Sequence, residues 1–323
     1  MKKYLLKCKT ITPLFMGGAF QQPELRTQSI NGLLRWWFRI SGGSIEDEKR
    51  IFGWAGETSN QGLVRIYLNE PNFNPSDFSL KGQKGYEYLG FSLKITKRKA
   101  VPENTKFEVK ILFHPKSTED DVKKFFCALW LAFNLGNFGS RARRGFGSIR
   151  IEKIEKIDKI KGDKKDITNE YFGLSFVPKG DLGDWITSNF NKIKGILNAS
   201  PRHNIPSLFN NFEIYLFDYN KSWQELLDKA GNEYREFRRK KSLGDRIVFG
   251  LPIVSVGRYR NFRRASLLIF KILGLDENNY ALLFIVIKPN ETHEFIFHPD
   301  MEKLHIKWSL LSEFVNKKTK IYP

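Results

Sequence analysis

The stretch of residues 106–157 constrains the fold most, because three periodic patterns follow one another in it. Residues 106–113 alternate between polar and apolar side chains, which predicts a strand with one buried face. Residues 117–133 carry apolar side chains at helical spacing behind a Ser-Thr cap and three acids, which predicts a helix. A strand is predicted again for residues 148–157. A chain that passes from strand to helix to strand must bury the apolar side of that helix on the sheet.

The preceding residues supply the first half of the same plan. Residues 4–10 alternate in polarity and predict a half-buried strand. Ser29 is predicted to cap a helix that the glycine pair at residues 42–43 ends, and strand-like runs follow at residues 63–68 and 89–96. The order of strand, helix, several strands, helix and strand predicts an α+β fold of the ferredoxin-like type. Such a fold has helices on one face of an antiparallel sheet.

The C-terminal half predicts a second α+β domain of the same kind. After a loop and helix region at residues 176–205, the predicted elements are a strand at 212–217, a helix from 223 to 237, strands at 247–256, 267–273 and 280–287, and a helix at 308–315. We therefore predict two ferredoxin-like domains, residues 1–160 and residues 161–323. The lysine-rich residues 153–165 mark an edge or a linker between them.

The charge of the chain indicates what it binds. Its 54 lysines and arginines exceed its 35 acids, which gives a formal net charge of +19. Nucleic acid is the commonest partner of so basic a chain, and an acidic membrane surface is the competing interpretation. The apolar runs at residues 127–133 and 281–287 are far shorter than the ~20 residues of a membrane-spanning helix, so we expect the chain not to have a membrane as its partner. Two cysteines and no recognisable export signal predict a cytoplasmic protein.

A loop rich in glycine and arginine leads out of the second predicted helix. It reads GNFGSRARRGFG at residues 136–147. Glycine lets main chain approach a ligand closely and a guanidinium group suits phosphate oxygens, so the loop predicts a site for a polyanion. An ordinary solvated basic loop is the alternative. We expect Arg143 and Arg144 to be exposed, and the candidate residues of the loop are Gly139, Arg141, Arg143, Arg144, Gly145 and Gly147.

Two further groups of arginines are candidates for binding phosphate. Arg35 and Arg39 are four residues apart and therefore share one face of the first predicted helix. Near the C-terminal half, aromatic residues interleave with arginines in the stretch GRYRNFRRAS, an arrangement suited to stacking on unpaired bases. The candidates in that stretch are Arg258, Arg260, Arg263 and Arg264.

The sequence carries no recognised catalytic motif for nucleotide, zinc or hydrolase chemistry. Its five histidines are scattered, and His203 is the best candidate for a general base because its surroundings, SPRHNIP, are those of a loop. Asp120 and Asp121 could bind a metal, but acids also favour the first turn of a helix. We therefore expect no catalytic residue, no metal site and no cofactor.

Four stretches together resemble a known family. They are ITPLFMGGA at residues 11–19, ELRTQSINGLLRWWFR at 24–39, GNFGSRARRGFGSI at 136–149 and RRASLLIFKI at 263–272. In this order they are similar to the RAMP superfamily, and within it to the family of the first-numbered subunit of the Cmr complex, the type III-B CRISPR RNA-guided effector. The resemblance covers most of the chain.

The resemblance implies two ferredoxin-like domains and a glycine-rich loop that touches RNA. It implies a non-catalytic subunit that binds the 3′ end of the CRISPR guide RNA and the target single-stranded RNA beside other Cmr subunits in antiviral defence. Base pairing between guide and target would then carry the sequence information, and the protein would recognise only the backbone and the shape of the RNA. Two alternatives stay open: a metal-independent RAMP endoribonuclease with His203 as base, and a free-standing nucleic-acid chaperone or basic scaffold.

Overall fold

The structure is a computed structural model, and it describes residues 1–18, 22–56, 59–69, 71–78, 82–158, 162–198, 212–251, 264–287 and 306–322. The strands in these residues are β1 (Lys3–Thr10), β2 (Val64–Leu68), β3 (Ser76–Asp77), β4 (Lys99–Ala100), β5 (Lys106–Phe113), β6 (Ile149–Ile157), β7 (Lys164–Asp166), β8 (Phe212–Asn220), β9 (Leu268–Gly274), β10 (Tyr280–Ile287) and β11 (Thr319–Tyr322). The α-helices are α1 (Thr27–Ile40), α2 (Ile45–Phe52), α3 (Lys84–Leu89), α4 (Phe91–Ile95), α5 (Glu119–Asn134), α6 (Leu182–Leu197), α7 (Trp223–Arg239) and α8 (Ser309–Val315).

The chain forms two compact units that are interleaved in sequence. The first unit contains Met1–Asp77, Lys99–Ser140 and the described part of Phe146–Ser200. The second contains Phe78–Arg98, Arg141–Gly145 and the described residues from 212 onward. The predicted division at residues 160 and 161 stays a prediction, because compact packing and the limits of a family domain need not coincide.

The first unit has a five-stranded antiparallel sheet in the order β2-β5-β1-β6-β7. With α1 after β1 and α5 after β5, this strand order is that of a ferredoxin-like fold. The predicted alternation in β5 is confirmed, since Phe107, Val109, Ile111 and Phe113 are all buried. Strand β1 buries its alternate residues in the same way, which places both strands on one apolar core with the helices.

The second unit repeats this strand order in a four-stranded sheet, β11-β8-β10-β9. Helix α7 follows β8, and α8 lies between β10 and β11, which again gives the ferredoxin-like arrangement. All pairings in the sheet are antiparallel, and every residue of β9 and β10 is buried. The predicted α+β fold with two ferredoxin-like sheets is therefore confirmed. In the part of the chain that the structure describes, no helix is both long enough and apolar enough to cross a membrane.

Helix starts follow the sequence in one case and depart from it in another. Of the two predicted cap residues of α5, Ser117 and Thr118, it is Thr118 that caps the helix, and it forms a reciprocal capping box with Asp121. Ser29 does not cap α1, because the helix begins at Thr27. The preceding residue, Arg26, is held by the loop before it: its main-chain N–H points at the sulfur of Met16, 3.2 Å away. The start of α1 therefore coincides with a contact to the preceding loop rather than with a side-chain cap.

Two predicted strands are helical. Residues 89–96 form the end of α3 and helix α4, and their alternating apolar residues do not share a face. Leu89 and Leu93, four residues apart, are buried, whereas Phe91 is exposed. At residues 247–256, the described part instead contains a 3-10 helix, Asp245–Phe249. In both places, periodicity over a few residues is ambiguous and packing decides the structure.

Candidate nucleic-acid interface

The glycine-arginine loop, residues 136–147, connects α5 to β6 in the first unit, while its residues Arg141–Gly145 belong to the second unit. Gly147 shows why glycine is required. Its φ angle is +75°, and a Cβ atom there would collide with the carbonyl oxygen of Phe138. Its N–H group donates to the carbonyl of Pro13 at 3.0 Å. Gly147 is buried and serves packing within the first unit, so its role differs from the predicted approach to a ligand.

Gly139 differs from Gly147 because it is exposed. It also has a positive φ, +77°, and a Cβ atom would lie 2.6 Å from the carbonyl oxygen of Phe15. No acceptor for its N–H group is present among the described residues. Gly139 therefore presents a main-chain donor on the surface of the first unit, as a phosphate site requires.

Arg144 lies inside the second unit and makes several specific contacts. Its Nη2 donates to the carbonyl oxygen of Phe249 at 2.7 Å, and its Nη1 donates to the carbonyl of Arg143 at 3.1 Å. The guanidinium also lies over the ring of Tyr234, 4.8 Å from its centroid. The expectation that Arg143 and Arg144 are exposed is wrong, since both are only partly accessible. The Arg144 guanidinium can lie inside the unit because these carbonyl and ring contacts compensate for removing its charge from water.

The three arginines of the loop raise the local positive charge. Burial and the neighbouring Arg144 lower the pKa of Arg143 to about 10. Burial and Arg144 also lower the pKa of Arg141 below its ordinary value, and burial lowers that of Arg144. Arg141 donates from Nε to the hydroxyl of Ser92 at 2.9 Å. In the described residues neither Arg141 nor Arg144 pairs with a carboxylate, so part of this charge is uncompensated.

Arg35 and Arg39 share one face of α1 as predicted, and both contact Glu48 of α2. Arg35 Nη2 lies 2.9 Å from Glu48 Oε1, and Arg39 Nε donates to both carboxylate oxygens at 2.8 Å. The Glu48 side chain is 3% exposed, whereas those of Arg35 and Arg39 are 24% and 38% exposed. Hydrogen bonding to Glu48 raises the pKa of Arg39. One carboxylate thus orients two cations and leaves a net positive charge on this surface of the first unit.

Arg264 is buried, with 5% of its surface exposed. Its Nη2 donates to the carbonyl of Ile247, and its guanidinium lies over the ring of Trp308 at 5.1 Å. Burial lowers its pKa to about 10. Arg144 and Arg264 therefore both bind carbonyls of the 3-10 helix Asp245–Phe249, which the sequence did not indicate. The other predicted residues of this stretch, Arg258, Arg260 and Arg263, lie outside the described residues, as does His203.

The acids at the start of α5, which could have bound a metal, have partners within the protein. Within it, no three His, Cys, Asp or Glu side chains are grouped closely enough to hold a metal ion. Asp121 is occupied by the capping box of α5 and by an ion pair with Arg50 at 2.9 Å. The acids at the start of α5 therefore have structural roles, in agreement with the first-turn interpretation.

Sequence reasoning missed the residues that hold the arginines in place. Glu48, Ser92 and Tyr234 contact candidate arginines from 9 to 90 positions away in the chain. Tyr234 lies on the apolar face of α7, and its spacing in the sequence indicates only ordinary core packing. No local motif marks these partners, because each contact depends on how separate elements meet.

Comparison with known proteins places the chain in a family. Its residues 7–150 match the family model of the RAMP superfamily, and residues 209–320 match the model described as Cmr1-like, C-terminal. The chain is 28% identical over 316 residues to the CRISPR system Cmr subunit Cmr1-1 of Pyrococcus furiosus, covering 91% of this chain and 88% of that protein. It is 30% identical over 185 residues to the Cmr1-2 subunit of the same organism, covering 48% and 97%.

Solved structures agree with this placement at the level of fold. The crystal structure of Cmr1 from Pyrococcus furiosus in its apo form superposes with a TM-score of 0.67 at 23% identity, covering 100% of this chain and 99% of that one. A chain in the cryo-EM structure of the type III-B Cmr-beta bound to cognate target RNA gives 0.58 at 15% identity, covering 98% and 99%. The chain belongs to the RAMP superfamily and, within it, to the Cmr1-like proteins.

Proposed function

We propose that the chain is a non-catalytic RNA-binding subunit of a type III-B CRISPR Cmr effector complex. In this role it holds the 3′ end of the guide RNA and the target single-stranded RNA, and so supports target capture. The two Pyrococcus furiosus relatives are named as Cmr subunits, and the match to the first spans nearly the whole chain. A chain of similar fold comes from a type III-B assembly bound to target RNA. Other Cmr subunits are the expected protein partners.

One observation carries the proposal: Arg141 and Arg144 are clustered without a carboxylate partner among the described residues. Their mutual repulsion contributes to the lowered pKa of Arg141. An anionic ligand beside them would relieve that repulsion, and an RNA phosphate would do so with the added directionality of guanidinium hydrogen bonds. The terminal amino groups of Arg141 have no acceptor in the described part of the second unit, so they are available to such a ligand.

In the first unit, Arg35, Arg39 and the N–H of Gly139 support the same conclusion. These groups are partly or fully accessible. The two arginines exceed the single negative charge of Glu48 by one positive charge, and Gly139 adds a main-chain hydrogen-bond donor. Such donors contact phosphate without selecting a base, which suits a subunit that leaves sequence recognition to guide–target pairing. Gly145 is buried with a φ of +84°, and a Cβ atom there would collide with Leu227 Cδ2. Gly147 and Arg264 are buried as well, so these three residues support the packing of their units rather than an exposed contact.

A filter-binding titration with single-stranded RNA tests the proposal. We expect Arg141→Ala to weaken binding several-fold at low salt. The control is Arg65→Ala, because Arg65 is an exposed arginine on β2 outside the candidate groups. Equal affinities of wild type and Arg141→Ala would contradict the assignment of the loop as an RNA site.

A gel of end-labelled RNA separates this role from the endoribonuclease alternative. We expect no cleavage by the protein alone, with or without magnesium or manganese. We expect the other Cmr subunits and a guide to cleave target RNA better when the chain is added. Discrete products from the protein alone that disappear in His203→Ala would establish the enzyme instead. Unchanged activity of the complex without the chain would contradict its role in target capture.

A further inference from the structure

Helix α4 turns an aromatic ring outward in the second unit. Phe91 is 61% exposed and Ile95 is 64% exposed, whereas Leu93 between them is 2% exposed. Phe91 and Ile95 are four residues apart, so they lie on the same side of the helix. Among the described residues no other ring contacts Phe91. Leu93 already packs the helix into the unit, whereas Phe91 and Ile95 present their side chains outward.

The surface around this ring is basic. Residues 91–98 contain Lys94, Lys97 and Arg98 and no acid. Lys94 and Lys97 are exposed. Lys94 pairs with Glu87 at 3.0 Å, whereas Lys97 has no carboxylate partner among the described residues. An apolar protein partner that covered Phe91 would also remove the neighbouring basic side chains from water, which is unfavourable. It is favourable for a polyanion that also carries planar apolar groups.

Helix α4 is also joined to the candidate RNA-binding loop within the second unit. Ser92, the neighbour of Phe91, accepts the hydrogen bond from Arg141 Nε at 2.9 Å. The position of the guanidinium is thereby set by the same helix that presents the ring. Helix α3, which directly precedes α4, packs on α7, where Asp228 Oδ1 accepts the N–H groups of Gly85 and Tyr86 at 2.8 and 3.0 Å.

We propose that Phe91 stacks on an unpaired base of the single-stranded RNA whose phosphates contact Arg141 and the lysines of residues 94–97. This inference rests on the proposed function and adds a base contact to it. An aromatic ring flanked by cations is the arrangement by which single-stranded nucleic acid is held without sequence preference, since every base has a face that can stack. Ile95 extends the apolar surface beneath the base and its sugar.

The test measures binding of a uridine-rich RNA that contains 2-aminopurine, whose fluorescence falls when the base stacks. The full-length chain is compared with Phe91→Leu, which keeps an apolar side chain, and with Phe91→Tyr, which keeps the ring. We expect Phe91→Leu to bind roughly 5- to 100-fold more weakly and to lose the quenching, and Phe91→Tyr to retain both. The control is Tyr219→Ala, because Tyr219 is an aromatic residue of the same unit that is 49% exposed and follows Asp218 rather than a basic residue.

The outcomes separate the stacking role of Phe91 from the proposed RNA-binding function. If Arg141→Ala weakens binding while Phe91→Leu binds and quenches as wild type does, the stacking role is wrong and the proposed function stands. If wild type binds no RNA, both are wrong. If the Phe91 variants bind RNA normally but no longer join the other Cmr subunits, the ring docks a protein and the inference is overturned. Because Phe91 is largely exposed, thermal unfolding of its variants should match wild type, which verifies that they are folded.

Discussion

The guanidinium carbon of Arg144 lies 4.8 Å from the centroid of the Tyr234 ring, and Nη2 of the same side chain donates to the carbonyl of Phe249. A partly accessible residue of the glycine-arginine loop thus packs against the core of the second unit. Tyr234 itself packs edge-on against Phe249 and Phe270. The arginine therefore connects α7, the 3-10 helix and β9 through one side chain.

We predict that Arg144→Ala lowers the stability of the protein. The variant loses carbonyl hydrogen bonds to a charged donor and the contact with Tyr234, which together are worth about 2–4 kcal/mol. Urea denaturation followed by tryptophan fluorescence measures the change. Arg65→Ala on β2 is the control and should change stability by less than ~0.5 kcal/mol. Equal stability of Arg144→Ala and wild type would show that the loop contacts do not support the fold.

We predict a steep dependence of RNA binding on salt. If about five phosphates are neutralised, a plot of log K against log of salt concentration should have a slope of roughly −3.5, at ~−0.7 per phosphate on a single strand. Arg141→Ala should make the slope shallower by ~0.7, because one contact is lost. A slope that does not change between wild type and Arg141→Ala would exclude a phosphate contact by this residue.

We predict opposite effects for two glycine substitutions. Gly147→Ala should destabilise by more than ~1 kcal/mol, because alanine is strained at a φ of +75° and its Cβ would meet the carbonyl of Phe138. Gly195→Ala in α6 should stabilise by about 0.5–1 kcal/mol, since its Cβ would enter open space at an exposed position of the helix. Thermal unfolding compares the two, and a stable Gly147→Ala would mean that the loop has another conformation.

We predict that stability rises with pH between 7 and 9 because of Lys271 in β9. This lysine is 1% exposed, and burial lowers its pKa from 10.5 to about 7. In this range the unfolded chain binds a proton at Lys271 that the folded chain has released, so lowering the pH favours unfolding. The slope from this group is at most about 1.4 kcal/mol per pH unit. Urea unfolding at pH 7, 8 and 9 should show it in wild type, and Lys271→Met should show a flatter profile.

We predict that Glu48→Gln separates stability from RNA binding in the first unit. The variant leaves Arg35 and Arg39 without their shared carboxylate, which should cost about 1–3 kcal/mol given the partial exposure of both arginines. The additional positive charge should tighten RNA binding at low salt if these arginines contact phosphate. Unchanged affinity of the folded variant would place Arg35 and Arg39 outside the RNA path.

Local patterns were sufficient where a single element determines its own structure. The alternation of β5, the cap of α5 at Thr118 and the apolar run that forms β10 were all readable, because each depends on residues adjacent in the chain. The family was readable too, since its motifs keep their order along the sequence. The start of α1 was not, because the helix begins two residues before Ser29, next to a contact between Arg26 and Met16 that no local pattern indicates.

The sequence by itself determined the α+β class, the two ferredoxin-like sheets, the basic charge and the position of the glycine-arginine loop. Only the tertiary structure decided what each arginine does. Arg264 became a buried residue, and Arg144 was held by carbonyls and a ring of the second unit. Arg35 and Arg39 were paired with Glu48, and Arg141 kept its terminal amino groups available. The physical reason is that the charge of a side chain is a property of its type. Whether that charge is compensated depends on carbonyls, rings and carboxylates that distant segments bring to it.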